Sequence, residues 1–129
     1  MYSHMVVGSN DLDRAKHFYD ALFLAMGGEA GTLDPSVGRL AYGHGGSRFL
    51  VKRPVNGLPA SVGNGVTVGF NTASPEQTRA WHEAGVANGG VSCEDPPGFR
   101  TMPDGRVLYL AYLRDPDGNK LCALYQEDS

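Results

Sequence analysis

A chain of 129 residues is long enough for one domain that buries roughly 65–70% of the surface its unfolded form exposes, so no disulfide or metal staple is required. Its 41% hydrophobic and 19% charged content is ordinary for a globular protein, and a net charge of −3 with a pI near 5.7 offers no basic field for nucleic acid or an anionic membrane. With no apolar run near twenty residues and no basic-then-apolar leader, neither membrane insertion nor export is expected, and the widely separated Cys93 and Cys122 suit a cytoplasmic location.

Tyr2 to Gly8 reads as a strand in which Met5 and Val7 alternate with His4 and Val6, so His4 and Val6 share a face. Asn10 or Asp11 caps a helix whose Leu12, Ala15, Tyr19, Leu22 and Met26 recur at three- and four-residue steps, and Gly27-Gly28 ends it. Arg39 to Gly43 and Arg48 to Arg53 form a hairpin about His44-Gly45-Gly46-Ser47. This glycine-rich run precedes no helix and is therefore no phosphate cradle; His44, like His17 and His82, is expected in solvent. Pro54 to Asn64 is a linker. Gly65 to Thr72 opens a second half, and Ser74-Pro75-Glu76-Gln77 starts a helix that carries Thr78, Trp81 and Val86 and ends in Gly89-Gly90. Val91 to Glu94 reads as a short edge strand, Val107 to Leu113 as a strong one and Lys120 to Gln126 as the last, with Asp115-Pro116-Asp117-Gly118-Asn119 as the tight turn between the final two.

The two halves repeat at an offset of 63: the strand at His4 and helix at Asp11 are answered by a strand at Thr67 and a helix at Ser74, and Phe18 is answered by Trp81. The chain therefore reads as a duplicated β-α-β unit in which His4 and Thr67 open equivalent strands. The expected division is module one at about 1–55, a linker at 56–63 and module two at about 64–129.

The opening His4 strand, Asn10-Asp11-Leu12 leading to Phe18-Tyr19, Gly63-Asn64-Gly65 before the second module, Gly98-Phe99-Arg100, and Arg114-Asp115-Pro116-Asp117-Gly118-Asn119-Lys120 resemble the glyoxalase, bleomycin-resistance and extradiol-dioxygenase group, the vicinal oxygen chelate superfamily. The resemblance implies an α+β fold of two βαβββ modules with curled mixed sheets around a cleft, commonly completed by a second subunit, so a homodimer is the expectation. It also implies four positions for metal donors, on the opening and last strands of each module. Carried over residue by residue, these are His4, Thr67, Phe49 or Val51, and Cys122.

Only His4 of that set is a good ligand for a hard divalent ion, which needs several oxygen or imidazole donors at about 2.0–2.6 Å. The reading is therefore no resident metal and no cofactor, with zinc or nickel held through His4 as the alternative. His4 is also the best candidate for a general base. Phe49, Val51 and Arg53 share a face of their strand, the resemblance turns Tyr109 toward the cleft, and Arg100 sits in a turn just upstream. The expected ligand site thus comprises His4, Phe49, Val51, Arg53, Thr67, Arg100, Tyr109 and Cys122, with the arginines favouring a small anionic organic ligand. Two functions follow: a glyoxalase-like binder with a degraded metal site, or a lactoylglutathione-lyase-type or related enzyme acting on a small carbonyl or glutathione adduct.

Overall fold

The computed structural model describes residues 1–127; positions 128 and 129, the end of the expected second module, lie outside the described residues. The chain runs β1 (His4–Gly8), α1 (Leu12–Ala25), β2 (Thr32–Asp34), β3 (Arg39–His44), β4 (Ser47–Lys52), β5 (Val68–Asn71), α2 (Pro75–Ala87), β6 (Val91–Ser92), β7 (Gly98–Thr101), β8 (Val107–Arg114) and β9 (Lys120–Gln126). One sheet has the order β1-β4-β3-β2, and the other has β5-β9-β8-β6 with β7 also on β8. In both, the opening strand runs parallel to the last strand and the remaining pairs are antiparallel. This is the α+β arrangement of two βαβββ modules, the outer strand of the second being split into β6 and β7. Among the described residues no helix is long and apolar enough to cross a membrane.

Both helices begin where their side chains can satisfy orphaned amides. The Asp11 carboxylate accepts from Arg14 N at 3.0 Å, and Ser74 Oγ accepts from Gln77 N at 3.0 Å while Gln77 Oε1 accepts from Ala73 N at 2.7 Å. The starts, Leu12 and Pro75, lie 63 residues apart, matching the repeat seen in sequence. Leu12, Ala15, Phe18, Tyr19 and Leu22 of α1 are all buried, and α1 packs on α2. The inward face of α2 is Thr78, Trp81 and Gly85, and Val86 is 48% exposed. Gly85 is what lets the elements approach: a Cβ there would meet Leu113 Cδ1 at 2.3 Å and Leu22 Cδ2 at 3.2 Å.

The turn after β8 does more than reverse the chain. Asp115, 3% exposed, accepts from the amides of Asp117 and Asn119 at 2.9 and 2.8 Å, from Asn119 Nδ2 at 2.9 Å and from Tyr19 Oη on α1 at 2.5 Å. Asn119 Nδ2 also donates to the carbonyl of Gly8 at 2.9 Å, and Asp117 Oδ1 accepts from Arg14 and from Asn10 N, both at 2.9 Å. Burial, reinforced by the nearby Asp115, lifts the Tyr19 pKa well above its usual value, and burial likewise raises that of Asp115. The second module is thus clamped to the end of β1 and the start of α1. Asn10 extends the clamp to the linker, accepting from Ala60 N at 2.6 Å.

Candidate functional site

A cavity of about 500 Å³ is lined by Tyr2, His4 and Met5, by Phe23 and Met26 at the end of α1, by His44, Gly45, Ser47, Arg48 and Phe49 around the hairpin, and by Val68 to Asn71. Its floor is three phenyl rings: Phe49 and Phe70 with centroids 5.3 Å apart, Phe23 and Phe70 at 5.8 Å, and Phe23 and Phe49 at 6.0 Å. Phe23 and Phe49 are buried and Phe70 half-buried, whereas His4, His44, Ser47, Arg48 and Asn71 are exposed and polar. A volume of this size with apolar walls and a few polar groups is typical of small-molecule sites.

His4 stands beside Arg48 in the parallel register of β1 and β4, and Val6 beside Leu50. Ser3 Oγ lies 2.7 Å from His4 Nδ1, which occupies that nitrogen and leaves Nε2 without a partner among the described residues. Six basic side chains, those of Arg14, Lys16, Arg79, Arg100, Arg106 and Lys120, have an acid within 4 Å; among the described residues Arg48 has neither an ion pair nor a hydrogen bond from its side chain. Among the described residues no Asp or Glu lines the cavity.

Of the eight residues expected to line the ligand site, His4 and Phe49 meet here and the others lie elsewhere. Phe49 and Val51 do not face the side of β4 that carries His4's neighbour: both are on the helix side, where the Phe49 ring centre lies 5.0 Å from that of Tyr19, and Phe49 alone of the two lines the cavity. Val51 is fully buried beneath α1. Arg53 packs over the Gly38 turn at the far end of its sheet, its amide donating to Gly38 O at 3.0 Å. Arg100 folds back on its own loop, donating to Pro96 O at 3.0 Å and to Phe99 O at 3.2 Å. Tyr109 is 5% exposed on the α2 side, where Arg79 donates to its hydroxyl at 3.1 Å and Phe99 meets it edge-on at 4.9 Å, so it does not face the cleft.

Thr67, which immediately precedes β5, and Cys122 on β9 are not among the residues that line the cavity. Thr67 lines a separate depression of about 450 Å³ with Val62 to Val66, Arg114, Gly118 and Lys120, so the His4 and Thr67 pair implied by the repeat is not brought to one site. Cys122 packs with Leu108 and Leu110, and burial pushes its thiol up to about 11, a neutral group at physiological pH. Beside it the Lys120 ammonium lies 5.3 Å from the Tyr112 ring centre and is ion-paired to Glu94, whose φ of 54° is unusual for a residue with a side chain.

His44, Arg48 and Asn71 join the site although the sequence carries no signal for them there. His44 and Arg48 flank a polar hairpin tip, and only the approach of β5 to that tip makes it a wall. No group of three or more His, Cys, Asp or Glu side chains is placed to hold a metal ion among the described residues.

A solved structure of a glyoxalase/bleomycin resistance protein from Albidiferax ferrireducens T118 is 52% identical in sequence, covers 96% of this chain and 98% of its own, and superposes with a TM-score of 0.91. The chain belongs to the glyoxalase/bleomycin-resistance family of the vicinal oxygen chelate superfamily. The same glyoxalase fold is shared with a glyoxalase-related enzyme from Fulvimarina pelagi at 20% identity, TM-score 0.71 and coverage of 97% of this chain and 87% of that one. It is shared also with a lactoylglutathione lyase from Agrobacterium tumefaciens at 21% identity, TM-score 0.66 and coverage of 97% and 92%. No protein-family model and no curated protein sequence matches the chain. On β4 the register puts Arg48 and Leu50 on the His4 side, whereas Phe49 and Val51, the residues the resemblance suggests as donors, lie on the other side.

Proposed function

We propose that this protein binds a small organic molecule in the cavity between its modules without a resident metal. The observation that carries the reading is the cavity itself: three phenyl rings beneath a rim of imidazole, guanidinium, amide and hydroxyl groups. The donor chemistry does not fit a hard divalent ion. A carboxylate beside His4 would complement the ion's charge, but the register supplies the Arg48 guanidinium, which repels it. His4, with Nε2 open, is the group placed to exchange a proton with whatever binds.

Equilibration with nickel, zinc, manganese and iron, followed by desalting and elemental analysis, should leave well under one ion per chain. Stoichiometric retention that His4→Ala abolishes would defeat the metal-free reading, and turnover of the methylglyoxal–glutathione adduct would replace it with the lactoylglutathione-lyase alternative. Dimerisation belongs to the same proposal and is supported by the unpaired outer edges of β1 and β5 and by Val6, 48% exposed on the outer face of the first sheet. Light scattering on the eluting peak should give twice the 13.8 kDa chain mass, and a monomer at micromolar concentration would reject the pairing.

A further inference from the structure

We infer that the junction cavity selects a monoanionic aryl compound, a flat apolar ring joined to a carboxylate, with Arg48 as the anchor of the acid group. The inference rests on the reading that this cavity holds a small molecule, and it adds the chemistry of that molecule.

The floor sets the apolar part. Phe23 and Phe70 meet at 86° and Phe49 and Phe70 at 69°, so the rings present edges and faces at steep angles to one another. Aromatic groups prefer such edge-to-face and offset contacts, each worth about 0.5–1.5 kcal/mol beyond the area they bury, so a planar ring gains more on this floor than a branched aliphatic group of equal area. Met5, Met26 and Val68 complete the apolar wall, and thioethers adapt to the outline of an aromatic guest.

The rim sets the charge. A guanidinium with no acid to neutralise it among the described residues is the one permanent charge among the lining side chains, since the remaining polar ones are imidazole, amide, phenol and hydroxyl. Its planar fork matches the two oxygens of a carboxylate, a pairing stronger than a neutral hydrogen bond. The Asn71 amide supplies a further donor on the same rim, and His4 Nε2 donates or accepts according to its tautomer. One fixed positive charge balances one negative charge, which favours a carboxylate over a doubly charged phosphate. A cationic ring compound would meet Arg48 with no carboxylate in the lining to offset the repulsion.

Isothermal titration with four probes that share a phenyl ring, phenylacetate, 2-phenylethanol, 2-phenylethylamine and phenyl phosphate, tests the assignment. Phenylacetate should bind about ten-fold or more tightly than 2-phenylethanol, as expected for a charge-assisted pair, with the amine weakest and the phosphate below the carboxylate. Arg48→Gln, an exposed position whose replacement should leave the thermal midpoint unchanged, should bring acid and alcohol to the same affinity. Phe70→Ala should weaken both together. Equal affinity of acid and alcohol for the unmodified protein, tighter binding of the phosphate, or a carboxylate preference that survives Arg48→Gln overturns the aryl-acid assignment and leaves the cavity reading intact. Absence of saturable binding by all four probes at millimolar concentration overturns the assignment and removes the support for the cavity reading with it.

Discussion

Asp115→Ala should lower the stability of this protein by about 3–4 kcal/mol, more than removal of any exposed charge. The carboxylate receives hydrogen bonds from four donors, and one of them, Tyr19 Oη, belongs to a side chain with no exposed surface. Truncation to a methyl group leaves that hydroxyl without a partner where water cannot replace the acceptor, and it frees the two amides that shape the turn. Tyr19→Phe removes the same long-range bond from the other side but leaves Asp115 with its three local donors, so its cost should be smaller, about 1–2 kcal/mol. The double variant should cost less than the sum of the singles, because the bond shared between them is lost only once. Urea unfolding of the four proteins measures all three quantities. Additive costs would mean that Tyr19 and Asp115 are held independently and that the clamp between modules is not a single unit.

That clamp marks the limit of what local sequence reports. Asp115 to Asn119 is legible as a turn because each residue type suits turn geometry, yet nothing in the five residues says that Asp115 reaches Tyr19, or that Asn119 reaches Gly8 O, across some hundred positions of chain. The helices were legible to within a residue at their starts because their caps are local: Asp11 and Ser74 each satisfy an amide three residues ahead. β2 and β7 were not read as strands. Three residues at Thr32–Asp34 and four at Gly98–Thr101 are too few to show alternation, and their pairing to β3 and β8 is a tertiary fact.

The site was less legible than the fold for a reason visible in β4 and β8. Phe49, Leu50 and Val51 are all buried, as are Leu108 to Ala111, so hydrophobic alternation has no phase there and cannot say which face a residue takes. Val51, expected in the cleft on the face it shares with Phe49 and Arg53, and Tyr109, turned there by the resemblance, lie against the helices. β1 could be phased, because Val7 is buried while Val6 is half-exposed, and His4 is correspondingly found on the Val6 face. Arg48 and His44 carried no signal of their own, being polar residues beside a hairpin turn. Their role emerges only where β5 brings Phe70 and Asn71 opposite that turn.

Trp81→Ala should cost about 3–5 kcal/mol, the usual range for emptying the space of a large aromatic in a close-packed core. The indole has no exposed surface and lies 6.3 Å from Phe70, so it couples the α2 interior to the cavity floor. Trp81→Phe is the more informative change. The indole Nε1 is buried with no hydrogen-bond partner among the described residues, so tryptophan here carries an unsatisfied donor that phenylalanine would not. Loss of ring volume and relief of the orphaned donor act in opposite directions, and Trp81→Phe should fall within about 1–2 kcal/mol of the unmodified protein. If the phenylalanine variant unfolded as easily as the alanine one, the indole N–H would have to be making an interaction that stabilises the core. Because Phe70 sits between Trp81 and the cavity, the same two variants separate stability from binding. Trp81→Phe should leave phenylacetate affinity within a few-fold, whereas Trp81→Ala removes the support behind the Phe70 ring and should weaken it about ten-fold in protein held folded well below its melting temperature.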